Sequence, residues 1–182
     1  EGAAVCCGHN GVVWLEVTVH GRPAHGSTPE RGINALEKMA ALVLGLNAHK
    51  KELARRKFKT PEGRTMVPTL NIGGVFGCGE GAKINTVPAT ATFTIDRRVL
   101  AMENHAAAEK ELRAALAIAA NKIPQCRITV AKISENFACF TPPTHPFFAA
   151  MAAPSSAARF GATRRGLPSA RGRRRRTTTM RA

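Results

Sequence analysis

Hydrophobic and polar residues alternate from Val12 to Val19. Val13, Leu15, Val17 and Val19 share one face, and Val12, Trp14, Glu16 and Thr18 share the other. A period of two predicts a half-buried strand. The period then changes. Ala35, Leu36, Met39, Leu42, Val43 and Leu46 fall on one helical stripe, which predicts an amphipathic helix from Asn34 to about Ala48, capped by Asn34. Residues 50–65 are charged and hold the turn signal Pro61-Glu62-Gly63, so they read as a frayed helix end and a loop. A short strand is predicted over residues 69–72 with Val75, interrupted by Gly73-Gly74 and the glycines of 77–81. Alternation returns over residues 89–96, with Ala91, Phe93 and Ile95 inward. The alanine-rich stretch 103–121 places Leu112, Ala115, Leu116 and Ala119 on one face and predicts a second helix. A last alternating strand covers residues 126–131.

The predicted order is therefore β-α-β-β-α-β over about residues 12–132. Two helices on one face of a four-stranded antiparallel sheet satisfy that order economically, so the fold class is α+β, a ferredoxin-like sandwich. The open sheet face would carry Trp14, Thr92 and Thr94, or else an assembly contact. An edge strand of such a sheet is free to pair with a second copy. From Phe137 the periodicity fails. Residues 141–146 read as a turn-rich connector, a helix is able to start at Phe147, and residues 154–182 have no hydrophobic period and are predicted to be disordered.

Composition sharpens this division. The net charge is +15, but residues 151–182 hold nine arginines and no acid, which leaves +6 for residues 1–150. The tail alone makes the chain look like a nucleic-acid binder. Arginine, threonine and alanine without lysine or acid is the composition of a GC-rich gene translated out of frame, and residues from about 152 onward are read here as such a product. The chain begins at Glu1 rather than Met, which points to a missing natural start. No run of about 18 apolar residues exists, so no membrane helix is expected. No basic segment followed by an apolar one opens the chain, so no secretory leader is expected. Of the five cysteines, adjacent Cys6 and Cys7 do not match a zinc spacing, and no second pair follows. An odd count without a leader favours reduced thiols and a cytoplasmic location.

Candidate chemistry concentrates in residues 21–35. This Gly/Pro/Ser-rich loop joins the first strand to the first helix and presents one histidine, His25. Loops held by a rigid scaffold are where binding and catalytic groups gather. The glycines of 73–81 do not form a phosphate cradle, because Lys83 follows Gly81 at the wrong spacing.

The segment Gly11 to Pro29, with Gly32-Ile-Asn-Ala35, Asn71-Ile-Gly-Gly74, Asn85-Thr-Val-Pro88 and Asp96-Arg-Arg98, follows in order along the chain. Together these motifs resemble the lid, or dimerisation, domain of the zinc-dependent amidohydrolases that include acetylornithine deacetylase, succinyl-diaminopimelate desuccinylase, aminoacylase and glutamate carboxypeptidase. The resemblance covers roughly residues 11–135. It implies the same β-α-β-β-α-β layout inserted into a larger catalytic domain. Residues 1–10 are then a remnant of that domain or a linker, and residues 136–153 a connector back toward it. The resemblance also implies a homodimer formed through the lid sheet edge and a small N-acyl amino acid or peptide as substrate. His25 matches the lid histidine that reaches the partner subunit's active site and hydrogen-bonds the substrate carbonyl. Asn85 matches a lid asparagine that contacts substrate, and Arg98 an arginine able to clamp a carboxylate. The residues alone leave simpler roles open: a solvated loop histidine, a turn residue before Pro88, and a partner for Asp96.

The family's two zinc ions are held by a His-x-Asp pair, a bridging Asp, a Glu-Glu pair, a further acid and a late histidine. This chain contains no His-x-Asp and no Glu-Glu. Glu1 lies near the further acid's expected place, but the spacing puts that ligand just upstream. No metal ligand is assigned to this chain, no zinc is expected to bind it, and alone it is expected to be inactive. Two other readings compete. A basic ferredoxin-like nucleic-acid module shares the element order, but this chain has no tyrosine, and the K/R-G-F/Y-G/A-F-V-x-F/Y signature is missing. A dimerisation domain without an enzymatic parent is the third. Neither nucleic acid nor membrane is the expected partner.

Overall fold

The computed structural model describes residues 8–60, 63–79, 81–142 and 144–152. Two compact units divide the chain, residues 1–145 and residues 146–182. The first unit opens with β1 (Gly8–His9), β2 (Gly11–His20) and β3 (Ala24–His25), followed by a 3-10 turn at Pro29–Arg31. Helices α1 (Ala35–Gly45) and α2 (Asn47–Arg55) lead to a small hairpin of β4 (Phe58–Lys59) and β5 (Thr65–Met66). Next come β6 (Thr69–Cys78), β7 (Thr86–Val87), β8 (Thr90–Val99), α3 (His105–Asn121), β9 (Arg127–Asn136) and β10 (Cys139–Phe140).

The long strands form a four-stranded sheet in the order β6-β8-β2-β9, with every neighbouring pair antiparallel. The first and last long strands of the chain are thus neighbours, and β6 and β9 are the edges. The alternation of β2 is the reason for its place. Val13, Leu15, Val17 and Val19 are fully buried, while Trp14 remains 41% exposed on the other face. Ala91, Phe93 and Ile95 of β8 join the same core, with Met39 and Leu42 of α1 and Leu112 and Leu116 of α3. Each of these side chains larger than alanine contributes about 1.5–3 kcal/mol relative to exposure.

Several stretches differ from the sequence reading, among them the last strand, which runs on to Asn136. Residues 50–55 are not a frayed end. The helix breaks at Leu46 and restarts as α2, whose His49 and Leu53 are buried. Leu46, His49 and Leu53 share one helical face, and the charges between them conceal it. The following loop closes into the β4–β5 hairpin, with Phe58 paired to Met66. The short strand at Thr69 continues to Cys78 past a bulge between Ile72 and Phe76. Gly73 (φ 136°) and Gly74 (φ 89°) supply the backbone that the bulge needs. The second helix begins at His105 rather than Glu103. Asn104 caps it by accepting the Ala107 N–H at 2.9 Å.

β1 and β10 pair antiparallel, Gly8 with Phe140 and His9 with Cys139. The connector expected from residue 136 thus contains a strand that returns to the beginning of the unit. In the second unit, the described structure is helix α4 (Pro146–Ala152). The expected disorder of residues 154–182 lies outside the described residues. No described helix is long and apolar enough to cross a membrane.

Candidate functional site

His25 sits at the end of β3, and two residues of pairing hold it. Ala24 faces Val87 and His25 faces Thr86 across the β3–β7 ladder. The pairing extends on both sides. Gly21 N–H donates to Ala89 O at 2.7 Å, and Gly26 N–H donates to Asn85 O at 2.7 Å. A Cβ at Gly26 would lie 3.0 Å from that same oxygen, so glycine permits this close approach. The Asn85 turn is fixed in its own right. Thr86 Oγ1 accepts the Lys83 N–H at 3.1 Å and donates to Lys83 O at 2.8 Å. The motifs around His25 and Asn85, 60 positions apart in sequence, thus form one exposed tip. A cavity of about 190 Å³ borders it, lined by Pro23, Gly79, Thr86, Val87 and Thr90 among others.

The His25 ring is solvent-exposed. Its Nδ1 lies 2.7 Å from Ser27 Oγ and accepts the Ser27 N–H at 3.2 Å. Nε2 makes no hydrogen bond among the described residues.

Arg98 is not at this tip. It lies eight positions along β8 from Thr90, about 26 Å at the usual strand rise. Its guanidinium binds Asp96 Oδ2 through Nε at 3.0 Å and Nη2 at 2.8 Å. The structure therefore joins two of the three candidate residues and places the third at the other end of the sheet.

Sequence reasoning missed a buried ion pair next to Arg98. Arg97 is fully buried, and its Nη2 lies 2.6 Å from Glu103 Oε1. Glu103 Oε2 also accepts the Leu100 N–H at 2.9 Å. The signal was the strand parity: Ala91, Phe93 and Ile95 are inward, so Arg97 must be inward too.

Among the described residues, the side chains with metal-ligand atoms close together are His49, Glu52 and Glu111. They do not fit a metal. The Arg56 guanidinium already binds Glu52 at 2.9 Å and grips both oxygens of Glu111. Its hydrogen bond holds the Glu111 carboxyl below the usual carboxylate range and raises the Arg56 guanidinium in turn. Burial pushes His49 down, against the raising effect of Glu111 at 3.8 Å. This is a structural network joining α2 to α3.

A nucleic-acid surface would need aromatics on the open sheet face. Phe93 points into the core at 2% exposure, which leaves Trp14 as the aromatic of the central strands on that face.

Residues 7–124 match the family described as a peptidase dimerisation domain. Over 70 residues the chain is 36% identical to the acetylornithine deacetylase of Aliivibrio fischeri strain MJ11, covering 38% of this chain and 18% of that protein. It is 37% identical over 70 residues to the acetylornithine deacetylase of Aliivibrio salmonicida. A hydantoinase/carbamoylase family amidase from Burkholderia ambifaria has a similar structure, with a TM-score of 0.56 at 26% identity, covering 72% of this chain and 29% of that one. The aminobenzoyl-glutamate utilization protein of Klebsiella pneumoniae shares the fold, with a TM-score of 0.51 at 24% identity over 78% of this chain and 35% of that one. The chain thus spans less than a third of the curated relatives and of the amidase.

Proposed function

Because the chain belongs to the peptidase dimerisation domain family, we propose that it is the lid of a di-zinc amidohydrolase acting on an N-acyl amino acid or a peptide. The strand order β6-β8-β2-β9, with its helices packed on one core, supports a ferredoxin-like β-α-β-β-α-β sandwich. The carrying observation is the exposed tip at which Gly26 and Asn85 lock together. There the His25 ring is free to donate from Nε2 to a carbonyl oxygen of a substrate held by a second subunit. Asn85 contacts the same substrate, and Arg98 clamps the carboxylate of a different substrate molecule, the one bound beside its own end of the sheet. A donor aimed at a developing oxyanion is worth about 3–4 kcal/mol.

The zinc ions implied for the complete enzyme are assigned to no residue of this chain. The 182 residues hold no His-x-Asp and no Glu-Glu pair, so alone they are expected to bind no zinc and hydrolyse nothing. Zinc at two per chain with turnover of acyl amino acids by the purified protein would overturn that.

The β1–β10 pairing brings the two ends of the domain together, which makes it transplantable. Residues 8–140 replace the corresponding lid of the Aliivibrio fischeri acetylornithine deacetylase, and deacetylation is measured. In this graft His25→Ala should lower kcat by about 10²–10³-fold with little change in KM. Equal kcat in both grafts would refute the donor role.

A further inference from the structure

We propose that Ser27 is a positioning residue that sets the tautomer of His25. This rests on the reading of His25 as a carbonyl donor. A backbone N–H only donates, so the Ser27 amide requires an unprotonated, accepting Nδ1. The Ser27 hydroxyl lies 2.7 Å from the same nitrogen, and as a rotatable donor it adds a second bond to that lone pair. Nδ1 is then doubly addressed from one residue, and the single proton of the neutral ring goes to Nε2. This puts the donor at Nε2, which no described residue hydrogen-bonds. The opposite tautomer would set its N–H against the amide N–H and turn a lone pair toward an incoming carbonyl. The loop reinforces the arrangement. Thr28 N–H donates to His25 O at 3.0 Å, which closes the turn carrying Ser27, and Gly26 ties that turn to Asn85. Ser27 touches no reacting atom on this account. It acts through the histidine.

The test uses the full chain with ¹⁵N-labelled histidine. Two-bond nitrogen–proton correlation spectra are recorded at about pH 8.5, two units above the ordinary histidine value. The signals of His25 are assigned from a His25→Gln variant. Wild type is expected to show the Nε2–H pattern. Ser27→Ala keeps the amide N–H and loses only the hydroxyl, and that loss should lower the Nε2–H to Nδ1–H ratio at least threefold, with Ser27→Thr restoring it. A wild-type ring in the Nδ1–H form overturns the proposal, as does a Ser27→Ala ratio equal to wild type. The spectra involve no substrate and no catalytic partner. A failed His25→Ala graft therefore sinks the donor reading and leaves the tautomer result standing, while an unchanged tautomer removes Ser27 and leaves the graft result standing.

Discussion

At the scale of single residues, the Arg97–Glu103 pair sets two opposite charges inside the fold, 2.6 Å apart. Arg97 reaches the core as a charge, and Glu103 neutralises it from the loop before α3. Removing one partner leaves an uncompensated buried ion. Glu103→Ala is expected to cost about 3–5 kcal/mol of unfolding free energy in urea titration. Arg97→Met with Glu103→Leu should recover most of that loss, since a packed apolar pair often matches a buried ion pair. A loss below 1 kcal/mol for Glu103→Ala would show that water reaches Arg97. Much of this scale was legible in the sequence. His25 stood alone on a loop between regular elements, and Asn34 preceded a helical stripe and does cap α1, accepting the Leu36 N–H at 3.0 Å. Ser27 was not legible as a partner of His25, because a turn must first fold it back onto the ring. Arg97 was hidden by its charge, which made an inward position look outward.

At the scale of elements, β2, β8 and α3 were legible from periodicity because one face of each is nearly all apolar. α2 was not, because its buried residues are few and one is a histidine. That histidine makes the α2–α3 contact sensitive to acid. Burial lowers the His49 value in the folded protein, so the unfolded chain binds a proton more readily. Stability is then complete above the unfolded value of about 6.5 and falls as pH drops through that region. The Glu111 carboxyl, also lowered when folded, has the same sign and acts below about pH 4.3. The urea midpoint should therefore fall between pH 7 and pH 5.5. His49→Leu should flatten that segment and leave the steeper loss below pH 4.5. An identical profile in the variant would mean that α2 does not carry the effect.

At the scale of the whole molecule, the two sheet edges differ. β9 bears Arg127, Lys132 and Glu135, which discourage pairing, whereas β6 has no charged residue and exposes Val75 and Phe76 at 67% and 75%. β6 is accordingly the edge proposed for self-association. Light scattering of the full chain should give the mass of a dimer, and Phe76→Lys that of a monomer. Monomeric wild type, or a dimer unchanged by the substitution, would move the contact elsewhere. The paired ends at Gly8 and Phe140 have a mechanical consequence. Tension applied through the flanking chain opens that pair one bond at a time rather than in shear. Beyond it the load meets β2 and β9, antiparallel neighbours joined from Val12–Asn136 to His20–Arg127, so the same tear runs on into the main sheet. The attachment is thus a mechanically weak seam, and a pull delivered there would strip β9 from β2 before it strained the His25 tip.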